Sequence, residues 1–232
     1  MRTKLFILFI SVFVVKYAVK AQNKLYIGLE ASIVQDQYTL SNPESSIEPP
    51  YPHFVEPATT FNIGYQLNSL ISIETGFTYK PFSTGYIIRI DENNTSGTNL
   101  SILSRFQIPL RINSKIALLK DKLFLNTTLG YHIGFNPNSY KALEFIGSTG
   151  DGYTIEKRYN KSYGLLETAI GLEFNLTNKW SIYNTIGLMH GLKELERTRI
   201  SEYQDFQRMQ SNTIIDKGGY LNIGFGFRYK LK

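Results

Sequence analysis

Three histidines, His53, His132 and His190, are the side chains of this 232-residue chain best suited to moving protons near neutral pH. Hydrolysis of a lipid or a peptide would need one of them beside a nucleophile or an activated water. His53 lies in the proline-rich stretch Pro49-Pro-Tyr-Pro-His53, and His190 lies in Met189-His-Gly-Leu192, which contains no serine. His132 falls between Gly130 and Gly134 in an alternating stretch and reads as a hydrogen-bonded interior group. No catalytic residue is assigned, and the chain is not read as an enzyme. Cysteine is absent, which excludes disulfides, thiolate metal sites and a cysteine nucleophile. No His, Asp and Glu cluster has metal-ligand spacing, and Asp91-Glu-Asn-Asn-Thr95 reads as a solvated loop. No metal or cofactor is expected.

The remaining charged groups of interest are Glu30, Glu74, Lys80, Arg105, Arg111, Glu167, Glu173 and Arg228. Together with His132 they share a property of position. Each lies on the polar parity of a segment whose other parity is apolar, the pattern of a two-faced strand. Eight such segments occur, near 23–35, 57–68, 70–82, 100–113, 122–136, 162–176, 180–192 and 218–231. All reach the ten or so residues that a tilted strand needs to cross a bilayer.

The apolar parity contains no charge. The last segment shows it with Leu221, Ile223, Phe225, Phe227, Tyr229 and Leu231. Across the eight segments this face also carries the aromatics Tyr65, Phe77, Tyr79, Phe106, Tyr131, Phe174 and Trp180. A charge facing lipid at the bilayer midplane costs about 2–4 kcal/mol, whereas a wet face collects Lys and Glu freely. The polar parity holds Gly28, Gly64, Gly76, Gly130, Gly134, Gly171, Gly224 and Gly226 beside charges of both signs. Small residues and balanced charge suit the narrow interior of an eight-stranded barrel, where side chains fill the space. Pairs such as Glu74 or Glu167 with Arg105, Arg111 or Arg228 are expected there, because a buried charge must be paired.

Connection lengths alternate. Asn68-Ser69 and Thr177-Asn178-Lys179 are short turn signals, and 114–122 is longer with room for a helical turn. Residues 36–56, 83–99, 137–161 and 193–217 read as long loops. The expected fold is an all-β, eight-stranded antiparallel transmembrane barrel with short periplasmic turns and long extracellular loops. Two loops stand out as interaction surfaces. Residues 43–57 contain Pro43, Pro49, Pro50, Pro52, Pro57, Tyr51 and Phe54, and residues 193–208 mix charge with Leu195, Ile200, Tyr203 and Phe206.

The N-terminus reads as a targeting signal. Arg2 and Lys4 precede the apolar run 5–15, and Val19-Lys-Ala21 offers a cleavage site. The expected organisation is a signal peptide at 1–21 and a barrel domain at 22–232. The formal charge of +6 falls to +2 when Arg2, Lys4, Lys16 and Lys20 leave with that segment, so a nucleic-acid partner is not expected.

On three features the sequence resembles the small outer-membrane β-barrel proteins of Bacteroidetes-type bacteria, the PorT-like family. These are the Ala21-Gln22 junction, the strand Arg105-Phe-Gln-Ile-Pro-Leu-Arg111 followed by Phe124-Leu-Asn-Thr-Thr-Leu-Gly-Tyr131, and the glycine–aromatic strand 224–229. The resemblance implies an integral barrel in the outer membrane of a Gram-negative cell. The final strand resembles the signal read by the barrel-assembly machinery, although Tyr229 is followed by Lys230, Leu231 and Lys232.

The reading is a monomeric outer-membrane barrel with a filled, non-conducting lumen and a structural or surface-interaction role. Its partners are outer-membrane lipid, the assembly machinery and a protein still to be identified. The alternative is a soluble, secreted, lipocalin-like barrel with the apolar face inside, holding a lipophilic ligand. An outer-membrane enzyme or a secretion-machine component ranks below both.

Overall fold

A computed structural model describes residues 25–42, 47–49, 55–89, 95–119, 122–137, 141–147 and 152–231. The signal segment, His53, the proline-rich stretch from Pro50 to Phe54 and residues 91–94 of the solvated loop lie outside the described residues. So do Ala21, Pro43 and Lys232.

The described residues form twelve strands: β1 (Leu25–Leu40), β2 (Ile47–Glu48), β3 (Glu56–Gln66), β4 (Ile71–Arg89), β5 (Thr95–Leu119), β6 (Leu123–Phe135), β7 (Lys141–Gly147), β8 (Gly152–Tyr159), β9 (Ser162–Asn175), β10 (Trp180–Gly191), β11 (Glu196–Gln204) and β12 (Gln207–Lys230). Eight of them form the wall in the order β1-β3-β4-β5-β6-β9-β10-β12, and β12 pairs back onto β1. The seam runs from Tyr26↔Lys230 to Leu40↔Ile214 and is antiparallel like the other pairings. The fold is therefore a closed, eight-stranded antiparallel barrel, with no free edge in its wall.

Alternation decides which way each side chain points. Ile33, Ile112, Leu129, Ile170 and Phe225 on the apolar parity are all exposed on the outer surface. Phe77, Tyr79, Tyr131, Phe174, Trp180 and Phe227 share that surface, with Tyr65, Phe106 and Tyr229 half-covered by neighbours. The rings contact one another across strands, Phe77 with Phe106 at 5.5 Å and Trp180 with Tyr229 at 4.6 Å between centroids. A lipocalin-like barrel would hold this face inside, so the structure overturns that alternative.

Several connections differ from the sequence reading. Residues 114–119 continue β5, and the hairpin closes with Leu119 opposite Leu123, so the described part of this connection is strand. Ala117, Leu118 and Leu119 look helical in isolation, but Ile116 and Leu118 keep the outward row going. The long connections are also largely sheet. β4 and β5 pair up to Arg89↔Thr95, and β12 extends through β11 and β8 to β7. The 193–208 segment thus becomes half of a hairpin. Its two-residue turn places Asp205 and Phe206 at φ of 49° and 61°, as a type I′ turn requires.

These extensions enclose a second core. Ile47, Tyr86, Ile88, Ile155, Ile200 and Ile214 pack together at the long-loop end, with Tyr38, Leu40 and Tyr153 against them. Below it, Val34, Ala58, Tyr163, Leu165, Met189, Leu195 and Tyr220 form another apolar cluster.

Candidate functional site

The interior of the barrel concentrates the polar chemistry. Glu30, Glu74, Lys80, Arg105, Arg111, His132, Glu167 and Glu173 are all buried, and Arg228 is nearly so. Each stands on an inward position because its strand neighbours face out. Gly64 and Gly134 make room for this content, since a Cβ at either would overlap the ring of Tyr26 or Tyr163.

At the short-turn end, Glu173 on β9 gathers donors from three other strands. Lys115 Nζ donates to its Oε1 at 2.5 Å, and Asn126 Nδ2 and Arg228 Nη1 donate to its Oε2 at 3.0 and 2.6 Å. Arg228 also reaches Glu74 at 3.3 Å, and Tyr26 donates its hydroxyl to the same oxygen at 3.2 Å. The Arg228 guanidinium lies 4.1 Å from the centre of the Tyr183 ring, a cation–π contact.

The middle tier centres on Arg111. It donates to Glu74 Oε1 at 3.1 Å and, through Nε, to Glu167 Oε2 at 2.6 Å. Glu30 lies in the field of Arg111 and Arg228. His132 Nε2 stands 2.7 Å from Glu167 Oε2, and its Nδ1 stands 3.0 Å from Gln107 Oε1. Gln107 in turn accepts from Tyr220 at 3.0 Å and donates to Tyr163 at 3.2 Å. Both ring nitrogens of His132 are thus held by interior groups, and neither faces a serine or threonine hydroxyl. His190 points outward from β10 and is exposed.

The upper tier differs from the expected pairing. Arg105 does not meet Glu74 or Glu167. It pairs with Asp216 and lies 4.0 Å from Glu196, both in the 193–217 connection, and stacks 3.3 Å above the Phe82 ring. Thr84 donates to Glu196 and shares a 3.0 Å hydrogen bond with Tyr159. Lys80 pairs with Asp36 at 2.7 Å and lies 3.7 Å from Glu56. The sequence reading missed Asp36, Glu56, Lys115, Glu196 and Asp216. For Asp36 and Lys115 a signal existed, because each extends the inward parity of Val34 or Asn113 by one step.

Burial pushes the Glu196 carboxyl above the ordinary carboxylate range, with the nearby Asp216 charge adding to the effect. Among the described residues, no group of three or more His, Asp and Glu is placed to hold a metal ion.

The fold is similar to that of three solved barrels. One is the N-terminal β-barrel domain of Pseudomonas aeruginosa OprF, 11% identical over 90% of this chain and 99% of that one, with a TM-score of 0.42. Another is the Neisserial surface protein A, 9% identical over 89% and 97%, with a TM-score of 0.43. The third is Ail, the attachment invasion locus protein of Yersinia pestis, 11% identical over 89% and 97%, with a TM-score of 0.36. No protein-family model matches the chain, and no curated protein sequence matches it.

Proposed function

We propose that the protein is an integral outer-membrane β-barrel that does not conduct and that acts at the cell surface through its long-loop end. The observation that carries this reading is the inverted layout of the wall. Charges lie inside, and an uncharged apolar row lies exposed outside, including Ile33 at 58%, Ile112 at 59% and Leu129 at 65%. In water such a surface would associate with itself, whereas in hydrocarbon it is matched. Backbone closure through β1 and β12 satisfies the remaining requirement of a spanning sheet.

Two features support a closed interior. Ion pairs cross the barrel at three levels, and the apolar cluster of Ile47, Tyr86 and Ile155 caps the long-loop end. A surface role is supported by what the outer sheet displays. Leu143, Phe145, Phe206 and Met209 are exposed there, and Arg158, Arg197 and Arg199 stand outward on β8 and β11. The PorT-like resemblance, cleavage after Ala21, a monomeric state and recognition by the assembly machinery belong to the same proposal. Enzymatic activity is set aside because both nitrogens of His132 are held inside.

Density-gradient fractionation of cells expressing the full chain tests this. The protein should sediment with outer membranes and resist carbonate extraction, and planar bilayers containing it should show no steady conductance. Recovery in the soluble fraction would overturn the membrane reading, and large steady currents would overturn the closed interior.

A further inference from the structure

We propose that the short-turn end of the barrel holds a binding site for a small oxyanion, a carboxylate or phosphate group. A cavity of about 40 Å³ opens there between the ends of β4, β5, β6, β10 and β12. At roughly 10–15 Å³ per water, it has the room of about three waters, the size of one such group. Lys115, Arg228, Lys230, Asn113, Ser72 and Ser181 line it.

The chemistry of the lining is one-sided. Three cations face a single carboxylate, Glu173. Both oxygens of Glu173 are already engaged, one by Lys115 and the other by Asn126 and Arg228. Yet donors remain. Arg228 Nε and Asn113 Nδ2 are buried and meet no acceptor among the described residues. Buried N–H groups without partners are uncommon, because each has lost its water without a return. The cavity therefore presents cationic and neutral donors from separate strands and leaves the acceptor to be supplied. Chloride offers one centre, whereas a carboxylate or phosphate offers several oxygens to donors that diverge.

The site is rigid on one side because Arg228 is clamped by Glu74 and Glu173. The turn residues Ser69 and Leu70 are part of its lining, which places the site at the side of the short turns. The inference stands on the barrel geometry and does not depend on the membrane reading.

The chain contains a single tryptophan, which serves as the reporter. Trp180 adjoins Ser181 and stacks on Tyr229, between Arg228 and Lys230. Full-length protein in detergent micelles is titrated with sodium phosphate, sodium acetate and sodium chloride at matched ionic strength, and Trp180 fluorescence is followed. A saturable change with phosphate or acetate, absent with chloride, is expected. Whichever of the two saturates at lower concentration identifies the preferred group. Lys230→Gln at the rim and Asn113→Asp in the wall should each raise the half-saturation point at least tenfold, with circular dichroism unchanged. Phosphate and acetate both tracking chloride would overturn the proposal. So would an unchanged half-saturation in Lys230→Gln, a variant that leaves the Glu173 pairs in place.

Discussion

Arg111 on β5 and Glu167 on β9 join across the barrel interior, Nε to Oε2 at 2.6 Å, although β6 lies between their strands. The residue between them in register is Gly130, opposite Arg111 on one side and Glu167 on the other. A Cβ at Gly130 would come within 2.6 Å of Glu167 Oε2 and 3.2 Å of Arg111 Cγ. The glycine is the saddle over which the ion pair closes.

Removing one partner of a buried pair leaves an uncompensated charge, which costs about 3–5 kcal/mol. Glu167→Leu should lower stability by that amount, because Arg111 loses the closer of its two carboxylate hydrogen bonds and His132 loses its carboxylate. Gly130→Val should destabilise as well, by about 1–3 kcal/mol through overpacking. The double variant Arg111→Met with Glu167→Leu should recover most of the loss, since apolar replacements of buried pairs are often near neutral. Urea unfolding of protein refolded into detergent or lipid measures all three. Equal losses in the single and double variants would contradict the pair's proposed role.

The segments that cross the barrel wall were legible because one environment holds along their whole length. Ile27, Leu29, Ala31 and Ile33 all face out, so parity separates cleanly. Above the wall that uniformity fails. Ile87 and Ile88 are both buried although adjacent, at the point where β2 pairs with β4. In β8 and β11 burial still alternates, but Lys157, Glu196 and Thr198 face in while Arg158 and Arg197 face out, so neither parity is apolar and these strands read as loops. The partners of Arg105 were hidden for the same reason. Asp216 lies 111 residues further on in β12, opposite Tyr38 of β1 and Glu196 of β11, and meets Arg105 only across the interior of the closed barrel.

Glu196 lies in that outer region and gives a pH dependence. Its carboxyl is raised by burial, so the folded protein holds the proton more tightly than the unfolded chain. Stability from this group is fully present below the ordinary carboxylate range and is lost as pH rises through the higher folded value. The charges around it are Asp216, which opposes ionisation, and Arg105, which favours it. Glu196→Gln should flatten the decline and be more stable than the parent at pH 8. Thermal unfolding from pH 4 to pH 8 reads this directly, and a parallel decline in the variant would assign it to other groups.

Phe206 holds the tip of the β11–β12 hairpin at a φ of 61° and is 75% exposed. The left-handed region costs a residue with a Cβ about 1–2 kcal/mol. Part of that is offset on substitution by the greater chain entropy of glycine in the unfolded state, about 0.5–1 kcal/mol. Phe206→Gly should therefore raise stability by roughly 0.5–1 kcal/mol. A bulky ring kept at a strained, exposed turn suits contact with a partner better than folding. Cells carrying the variant should then keep the barrel and lose surface binding, measured by capture of extracellular proteins on whole cells. Lower stability in Phe206→Gly would show that the ring serves the hairpin itself.

Closure rests on the seam between β1 and β12, where Ala31 stands opposite Phe225. Both point to the outer surface, and the chain has no native cysteine to interfere. Opposed residues of an antiparallel pair have Cα atoms about 4.5–5.5 Å apart, within the span of a disulfide. A variant with Ala31→Cys and Phe225→Cys should cross-link on mild oxidation after folding. The product links residues near the two ends of the chain into one large loop. It should migrate faster than the reduced form on denaturing gels and resist unfolding more strongly. Pairing Ala31→Cys with Ile170→Cys, an outward position on β9, which neighbours β6 and β10 and not β1, should give no cross-link. If the two cysteine pairs oxidise equally poorly, the first and last wall strands do not meet, and the sheet is open along this edge.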